Sequence, residues 1–433
     1  TNLIGGPYAF DHYRCRTSVV FQNKGICAQY RAVGHPVAVA ITEGLVDKAA
    51  AEMGFDPIEI RRRNLVADDA YPLTTAAGLK LEGLSHHKSL DALVEAMDYE
   101  ALRAEQKALR DKGIHRGIGI ASFIELTNPS PFMYGIGGAR ISAQDGCTVR
   151  MDPDGSVVAL TGITEQGQGT EAIMAQIVAE AVGVSPEMVR IVTGDTRVTP
   201  FGGGTWASRG AGIGGEAALQ AGRAVRGQAL EVAASLLQAK AGDLDIRDGI
   251  IVDADTGEER LALSEVGRIV YFRGDTLPKG LPRELMQTRH FITSNYPYAF
   301  TNGVQASYVE VDTETGFVTL LKHWCVEDCG RIINPLLVDE QIRGGIVQGI
   351  GAALFEEICY DEEGQLLNGT MADYLVPMSG EMPDMIIRHV ETPTEESELG
   401  AKGAGEAGTA GAPAAVMNAI NDAIRPLGGA VTH

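Results

Sequence analysis

Apolar and polar residues follow a helical period over most of the first part of this chain and a strand period beyond about residue 115. Residues 17–22 read as a strand. Residues 37–53 predict a helix closed by Gly54, and residues 57–64 a second short helix with Asp56 available as its cap. Residues 71–85 carry no period. Residues 89–112 predict one charged amphipathic helix with Leu90, Leu93 and Met97 on one side. Further on, residues 148–160 spell strand–turn–strand around Asp154-Gly155, and residues 309–321 repeat the form. A glycine–glutamine turn before a helix follows each: Gly167-Gln168-Gly169 and Val347-Gln348-Gly349. Two similar half-units sharing one site, or two common hairpins matching by chance, both account for this echo. After Gln168, residues Ile173, Met174, Ile177, Val178 and Ala181 share one helical face and are core positions. Gln168 and Thr170 precede that face, at an N-terminal turn whose backbone N–H groups are expected to be free.

Glycine punctuates the later sequence. Residues 400–413 hold five glycines with alanines between them, so a large object can approach that backbone closely. Lys402 and Glu406 are its two chemically capable groups, and Pro413 reads as the first turn of a helix over 414–424. Residues 202–215 lead into a helix from Glu216 to residue 239, and residues 344–351 form another glycine-rich junction. Four such turns onto helix N-termini would suit an elongated ligand with several anionic groups. None has the P-loop form, and the two G-x-G-x-x-G matches, at 210–215 and 403–408, lack a strand–turn–helix–strand setting. A carboxylate inside such a cradle suggests a general base beside an anionic cofactor. A surface loop with one solvated Glu, or glycines that simply permit tight packing, explains the same residues.

Composition narrows the class. A chain of 433 residues, 45% hydrophobic, predicts a globular α+β protein of more than one lobe. We expect two elongated mixed αβ lobes, residues 1–115 and 116–433, with hairpins and glycine-rich turns onto helices around a cofactor site. No uninterrupted apolar run reaches the roughly 18 residues of a membrane span. A net charge of −21 argues against a nucleic-acid surface. Cysteines 15, 27, 147, 325, 329 and 359 are scattered, and Cys325-x3-Cys329 has no second pair to complete a zinc site, so no metal ligands are assigned. Buried free thiols suit a reducing compartment, so the expected location is cytoplasmic, with the periplasm still open. Both ends read as interrupted, as in a fragment or a processed subunit.

Taken in order, Tyr30-Arg31-Ala-Val-Gly34-His-Pro36, the P-x-E-x-R-x-x-N-L run ending at Leu65, Gly167-Gln168-Gly169, Thr205-Trp-Ala-Ser208, Asp328-Cys-Gly-Arg-Ile-Ile-Asn334-Pro335, Val347-Gln348-Gly349 and Gly405-Glu406-Ala-Gly408 resemble the large subunit of the xanthine oxidase (molybdenum hydroxylase) family. The resemblance extends over roughly the later two-thirds of such a subunit; an earlier G-G-G-F-G-G type turn and a smaller first domain are missing. It implies a molybdopterin cofactor carrying molybdenum, expected in the cytosine dinucleotide form, whose dithiolene rather than any side chain holds the metal. By motif, Glu406 is implied as the general base that deprotonates a metal-bound hydroxide, and Arg31 as a residue near the substrate or in a structural ion pair. Gly167, Gln168, Gly169, Thr205, Ala207, Ser208, Gln348, Lys402 and Gly405 are implied around the cofactor, Lys402 equally as a holder of its loop. Iron–sulfur (2Fe-2S) and FAD subunits are implied as partners, because no cysteine set here could hold a cluster. A separate chain carrying the missing N-terminal part is a further candidate partner.

Two departures narrow the substrate. Ala32 stands where carbon monoxide dehydrogenases of the family carry a reactive Cys, and Val33 where purine-oxidising members carry a Phe. An aldehyde or another N-heteroaromatic ring is the expected substrate, oxidised with water-derived oxygen, and the loop from Glu125 to Tyr134 is expected to border its funnel. A catalytically silent pterin- or nucleotide-binding scaffold would keep the glycine loops but has no need of a carboxylate at 406.

Overall fold

A computed structural model describes residues 2–25, 28–133 and 142–431. Cys27 and Tyr134, named above, lie outside the described residues. The chain forms two compact units, and the first is assembled from three separate stretches: Thr1–Thr127, Ala299–Thr394 and Lys402–His433. The second comprises Asn128–Tyr298 and Glu395–Ala401.

In chain order, unit one begins with α1 (His35–Met53), α2 (Pro57–Asn64), the two-residue strands β1 (Leu73–Thr74) and β2 (Lys80–Leu81), α3 (His86–Met97), α4 (Tyr99–Arg110) and β3 (His115–Thr127). Unit two supplies β4 (Asp145–Met151), β5 (Val157–Thr161), α5 (Thr170–Val182), β6 (Val189–Val192), α6 (Glu216–Leu237), β7 (Leu244–Arg247), β8 (Ile250–Asp253), β9 (Glu259–Ala262), α7 (Leu263–Phe272) and β10 (Met286–Phe291). The chain then returns to unit one with β11 (Ala299–Val311), β12 (Val318–Asp328), α8 (Pro335–Leu354), β13 (Met385–His389) and α9 (Ala407–Ile424).

Unit one is a sheet of order β13-β12-β11-β3, antiparallel except for the β12–β13 pair. Strand β3 shows how its two faces are used. Ile118 and Ile120 pack with Leu90 and Leu93 of α3, while Ala121 and Phe123 join the core built around α9. On that second face Gly117 and Gly119 admit the α9 backbone, since a Cβ on either would collide with the carbonyl of Ala419 or Ala415. Unit two carries a sheet of order β10-β4-β5-β6 packed by α5 and α6, with the β7-β8-β9 meander as a second sheet. The α+β expectation is met: helices and sheets are mixed, with no closed barrel among the described residues.

Several local expectations are met at their boundaries. Gly54 ends α1 in the left-handed region at φ 72°, and the Asp56 carboxylate accepts the N–H groups of Ile58 and Glu59 at the start of α2. Both hairpins form. Four readings are corrected. Residues 17–22 form no strand. The single helix over 89–112 is two helices, broken where Asp98 turns left-handed at φ 47°. Residues 344–351 are no junction but the interior of α8, so the second glycine–glutamine turn does not exist. Pro413 does not open α9; it lies inside a helix that starts at Ala407.

Candidate active site

In unit one the loop before α1 meets the start of α9 and the middle of α8. Ala32 adopts φ 70°, a conformation that strains a residue with a Cβ. The two peptide groups that flank its Cα are both held. The Ala32 N–H donates to Glu406 Oε1 at 3.0 Å, and the Ala32 carbonyl accepts the His35 backbone N–H at 2.8 Å. Arg31 donates through Nε to Gly405 O at 2.6 Å, through Nη1 to Gln348 Oε1 at 2.8 Å and through Nη2 to Gln341 O at 3.1 Å. One planar guanidinium thus ties α8 to the residue preceding Glu406, as its fork geometry permits. Burial draws the Arg31 guanidinium below its ordinary pKa, while Glu406, Tyr30 and Glu125 pull the other way.

The Arg31 bond also fixes the Gln348 amide. With Oε1 accepting, its NH2 group is a donor facing away from the guanidinium. Tyr30 O–H lies 3.1 Å from Gln348 O and 3.3 Å from Glu356 Oε1, and Tyr374 O–H donates to the other Glu356 oxygen at 2.6 Å. Lys402 is buried; Nζ donates to Gly83 O at 2.8 Å and its backbone N–H to Cys329 O at 2.8 Å, which anchors the glycine loop.

In unit two, Gly167 and Gly169 turn the chain at φ 92° and 87° into α5. The N–H groups expected to be free there are occupied. Glu165 Oε1 accepts from Gln166, Gly167 and Gly169 at 3.1, 2.7 and 3.2 Å, and Oε2 from Glu171 at 3.1 Å. Partial burial alone would raise the Glu165 pKa, but these four donors outweigh it and hold the carboxyl below its usual range. Gln168 is spent on its own loop: Oε1 accepts Gln166 N–H at 2.6 Å, and Nε2 donates to Thr164 O at 3.1 Å and Thr170 Oγ1 at 2.7 Å. Thr205 Oγ1 donates to Thr164 O at 2.7 Å, joining the two loops.

Ala207 and Ser208 follow at φ 47° and 49°, two successive left-handed residues that cost about 1–3 kcal/mol each and persist only where the surrounding structure holds them. Arg209 anchors the chain directly after them. Fully buried, it donates to Gly204 O at 2.6 Å, Gln144 O at 2.8 Å and Asp145 Oδ2 at 3.0 Å, and its guanidinium lies 5.5 Å from the Trp206 ring centroid.

Each unit therefore gathers its own share of the named residues: Arg31, Gln348, Lys402, Gly405 and Glu406 in unit one, Gly167, Gln168, Gly169, Thr205, Ala207 and Ser208 in unit two. Sequence reasoning missed Gln341, His35 and Glu165. Gln341 lies seven residues before Gln348, on the same face of α8, and becomes visible once residues 344–351 are read as helix.

Within unit one the Gln348 amide, and within unit two the backbone of the Ala207–Ser208 turn, are donor chemistry of the kind a phosphate-bearing organic cofactor takes. At the α5 start the fit holds only if Glu165 turns away. Among the described residues no group of three His, Cys, Asp or Glu side chains is placed to hold a metal ion.

Comparisons with known proteins agree on a class. The molybdopterin cofactor-binding domain family matches residues 1–65 and 92–383. The nicotine 6-hydroxylase large subunit of Paenarthrobacter nicotinovorans is 39% identical over 406 residues, covering 94% of this chain and 49% of that protein. The carbon monoxide dehydrogenase large chain of Hydrogenophaga pseudoflava is 31% identical, covering 100% of this chain and 53% of its own length. The crystal structure of quinoline 2-oxidoreductase from Pseudomonas putida 86 superposes with a TM-score of 0.85 at 37% identity, over 93% of this chain and 51% of that one. The chain belongs to the molybdenum hydroxylase (xanthine oxidase) family, as a molybdopterin-binding large-subunit chain. It spans about half the length of the curated relatives it matches, less than the two-thirds expected from its motifs.

Proposed function

We propose that this chain is the cofactor-binding catalytic part of a molybdenum hydroxylase that oxidises an aldehyde or an N-heteroaromatic ring with oxygen derived from water. The observation that carries the reading is the Ala32–Glu406 contact, which joins the strained loop after Arg31 to the carboxylate at the head of α9. Nicotine and quinoline, named in two of the relatives, contain N-heteroaromatic rings, which favours that substrate class. Ala32, fully buried, offers no thiol for carbon monoxide chemistry, and the exposed Val33 offers an apolar contact in place of a Phe.

When bound, the molybdopterin would supply the two-electron redox centre. Gln348 would donate to it, with Gly167, Gly169, Thr205 and the Ala207–Ser208 backbone as further contacts and Gln168 holding the shape of its loop. Glu406 takes up the proton released as water-derived oxygen is transferred to substrate, and Arg31 keeps Glu406 and Gln348 in register. The cytosine dinucleotide form, iron–sulfur and FAD partner subunits and a cytoplasmic location belong to the same proposal. So does the assignment of residues 1–115 to the end of a first cofactor-binding lobe and 116–433 to a second.

The test is Glu406→Gln in the assembled enzyme. Turnover should vanish while molybdenum content stays unchanged, and normal turnover would remove Glu406 from the mechanism.

A further inference from the structure

The Ala32–Glu406 hydrogen bond is linked to a residue that stands inside the first family phrase and has no role in the chemistry above. His35 opens α1 and is 7% exposed. Its Nε2 lies 3.0 Å from the Leu126 N–H of β3, and a backbone N–H can only donate, so Nε2 is the acceptor. The neutral ring therefore carries its proton on Nδ1, which lies 2.7 Å from the Ala32 carbonyl and donates to it. Burial favours the uncharged ring and lowers its pKa, although the nearby Glu406 charge opposes this.

A directed chain results: Leu126 N–H to His35 Nε2, His35 Nδ1–H to Ala32 O, and Ala32 N–H to Glu406 Oε1. Ala32 is the weak link, because its left-handed φ of 70° is not a conformation alanine keeps unaided. Rotation of that residue back to negative φ would swing its N–H away from Glu406. The His35 backbone N–H already bonds the Ala32 carbonyl at 2.8 Å, and the ring adds a second, side-chain bond to the same oxygen.

We propose that His35 is a positioning residue for Glu406: its Nδ1–H pins the Ala32 carbonyl, which holds Ala32 in its left-handed conformation and so keeps the N–H of the preceding peptide on the carboxylate. This rests on the reading of Glu406 as the base. Arg31 and His35 interact electrostatically with Glu406, and Tyr30 and Glu125 act in turn on Arg31. Arg31, Tyr30 and Glu125 are untouched by the substitutions below.

The two amide isosteres separate the two ring nitrogens. In Asn the side-chain NH2 falls where Nδ1 stands, whereas in Gln it falls nearer Nε2. In the assembled enzyme, His35→Gln should lower kcat roughly tenfold with KM within about twofold of wild type, and displace the acid limb of the kcat–pH profile. His35→Asn should restore most of kcat. Hydrogen–deuterium exchange of the peptide containing residues 30–36 gives a readout independent of turnover: faster exchange in His35→Gln, near-wild-type protection in His35→Asn. Equal kcat, pH profile and exchange in Gln and wild type would overturn the proposal, as would equal loss in Asn and Gln. Glu406→Gln run alongside distinguishes the two ideas. If that variant turns over normally, the assignment of the base has failed; if it is inactive while His35→Gln behaves as wild type, only the positioning role has failed.

Discussion

Gly345 of α8 and Gly408 of α9 face each other at the crossing of the two helices, and a Cβ built on Gly345 would stand 2.9 Å from the Gly408 Cα. Four residues along, a Cβ on Gly349 would stand 2.7 Å from the Ala412 Cβ. The small residues at these points thus serve a helix crossing, with the backbones in direct contact, and the close object at Gly408 is α8. The crossing lies in the first turn of α9, two residues beyond Glu406.

A pair of alanine substitutions measures this. Gly345→Ala should destabilise the protein by about 1–3 kcal/mol, because neither backbone can retreat without separating the helices. Gly227→Ala on α6, where a Cβ would meet nothing within 4 Å, should stabilise by about 0.5–1 kcal/mol through the lost freedom of the unfolded chain. Thermal unfolding of the two purified variants decides it: a Gly345→Ala protein as stable as wild type would mean that the crossing is loose.

The hairpins, α1 and α2 were legible because local chemistry sets their ends: Asp154-Gly155 at a turn, Gly54 at φ 72°, the Asp56 carboxylate on two N–H groups. What escaped is non-local. Strand β3 pairs with β11, more than a hundred residues later, so the interleaving of the two units has no local signature. The 89–112 pattern continues through Asp98 because α3 and α4 both lay apolar residues on one core, and the period does not register the turn between them. Glycines 344–351 looked like a loop because composition does not say whether glycine is bending a chain or admitting a neighbour. Likewise Pro413 was a sound helix-start signal overridden by packing: its Cδ would be 3.0 Å from a Cβ on Gly349. At the candidate site the motifs pointed to Arg31, Gln348 and Glu406, but not to the Ala32 peptide that links them or to the Glu165 carboxylate over α5.

A second variant probes the interior of unit one. Arg61 is fully buried and bonds Glu43 Oε2 through Nε at 2.8 Å, while Tyr8 O–H donates to the other Glu43 oxygen at 2.6 Å. Burial alone would lower the Arg61 pKa, but Glu43, Tyr8 and Asp47 outweigh it and keep the guanidinium charged. Arg61→Met leaves Glu43 buried without its cation and should cost about 3–5 kcal/mol. Combining it with Glu43→Leu should recover a large part of that loss. Denaturant unfolding of the single and double variants gives the coupling, and additive losses would show that the two residues act independently.

The last prediction concerns pH. His389 of β13 is held between two carboxylates, with Nδ1 3.1 Å from Glu327 Oε2 on β12 and Nε2 2.6 Å from Asp339 Oδ1 on α8. Burial would lower its pKa, but the bonds to Glu327 and Asp339 win and raise it to about 9 from an ordinary 6.5. A folded-state pKa above the unfolded one means that the protonated ring stabilises the fold. That contribution is fully present below about pH 6.5 and disappears as pH rises through about 9. The ring is partly exposed, so solvent screening reduces the contribution to about 1 kcal/mol. The midpoint of thermal unfolding should therefore fall across this window in the wild-type protein and fall less in His389→Gln, which keeps a hydrogen-bonding side chain without the charge. Parallel pH profiles for the two proteins would show that the clamp between α8 and the sheet does not depend on the imidazolium.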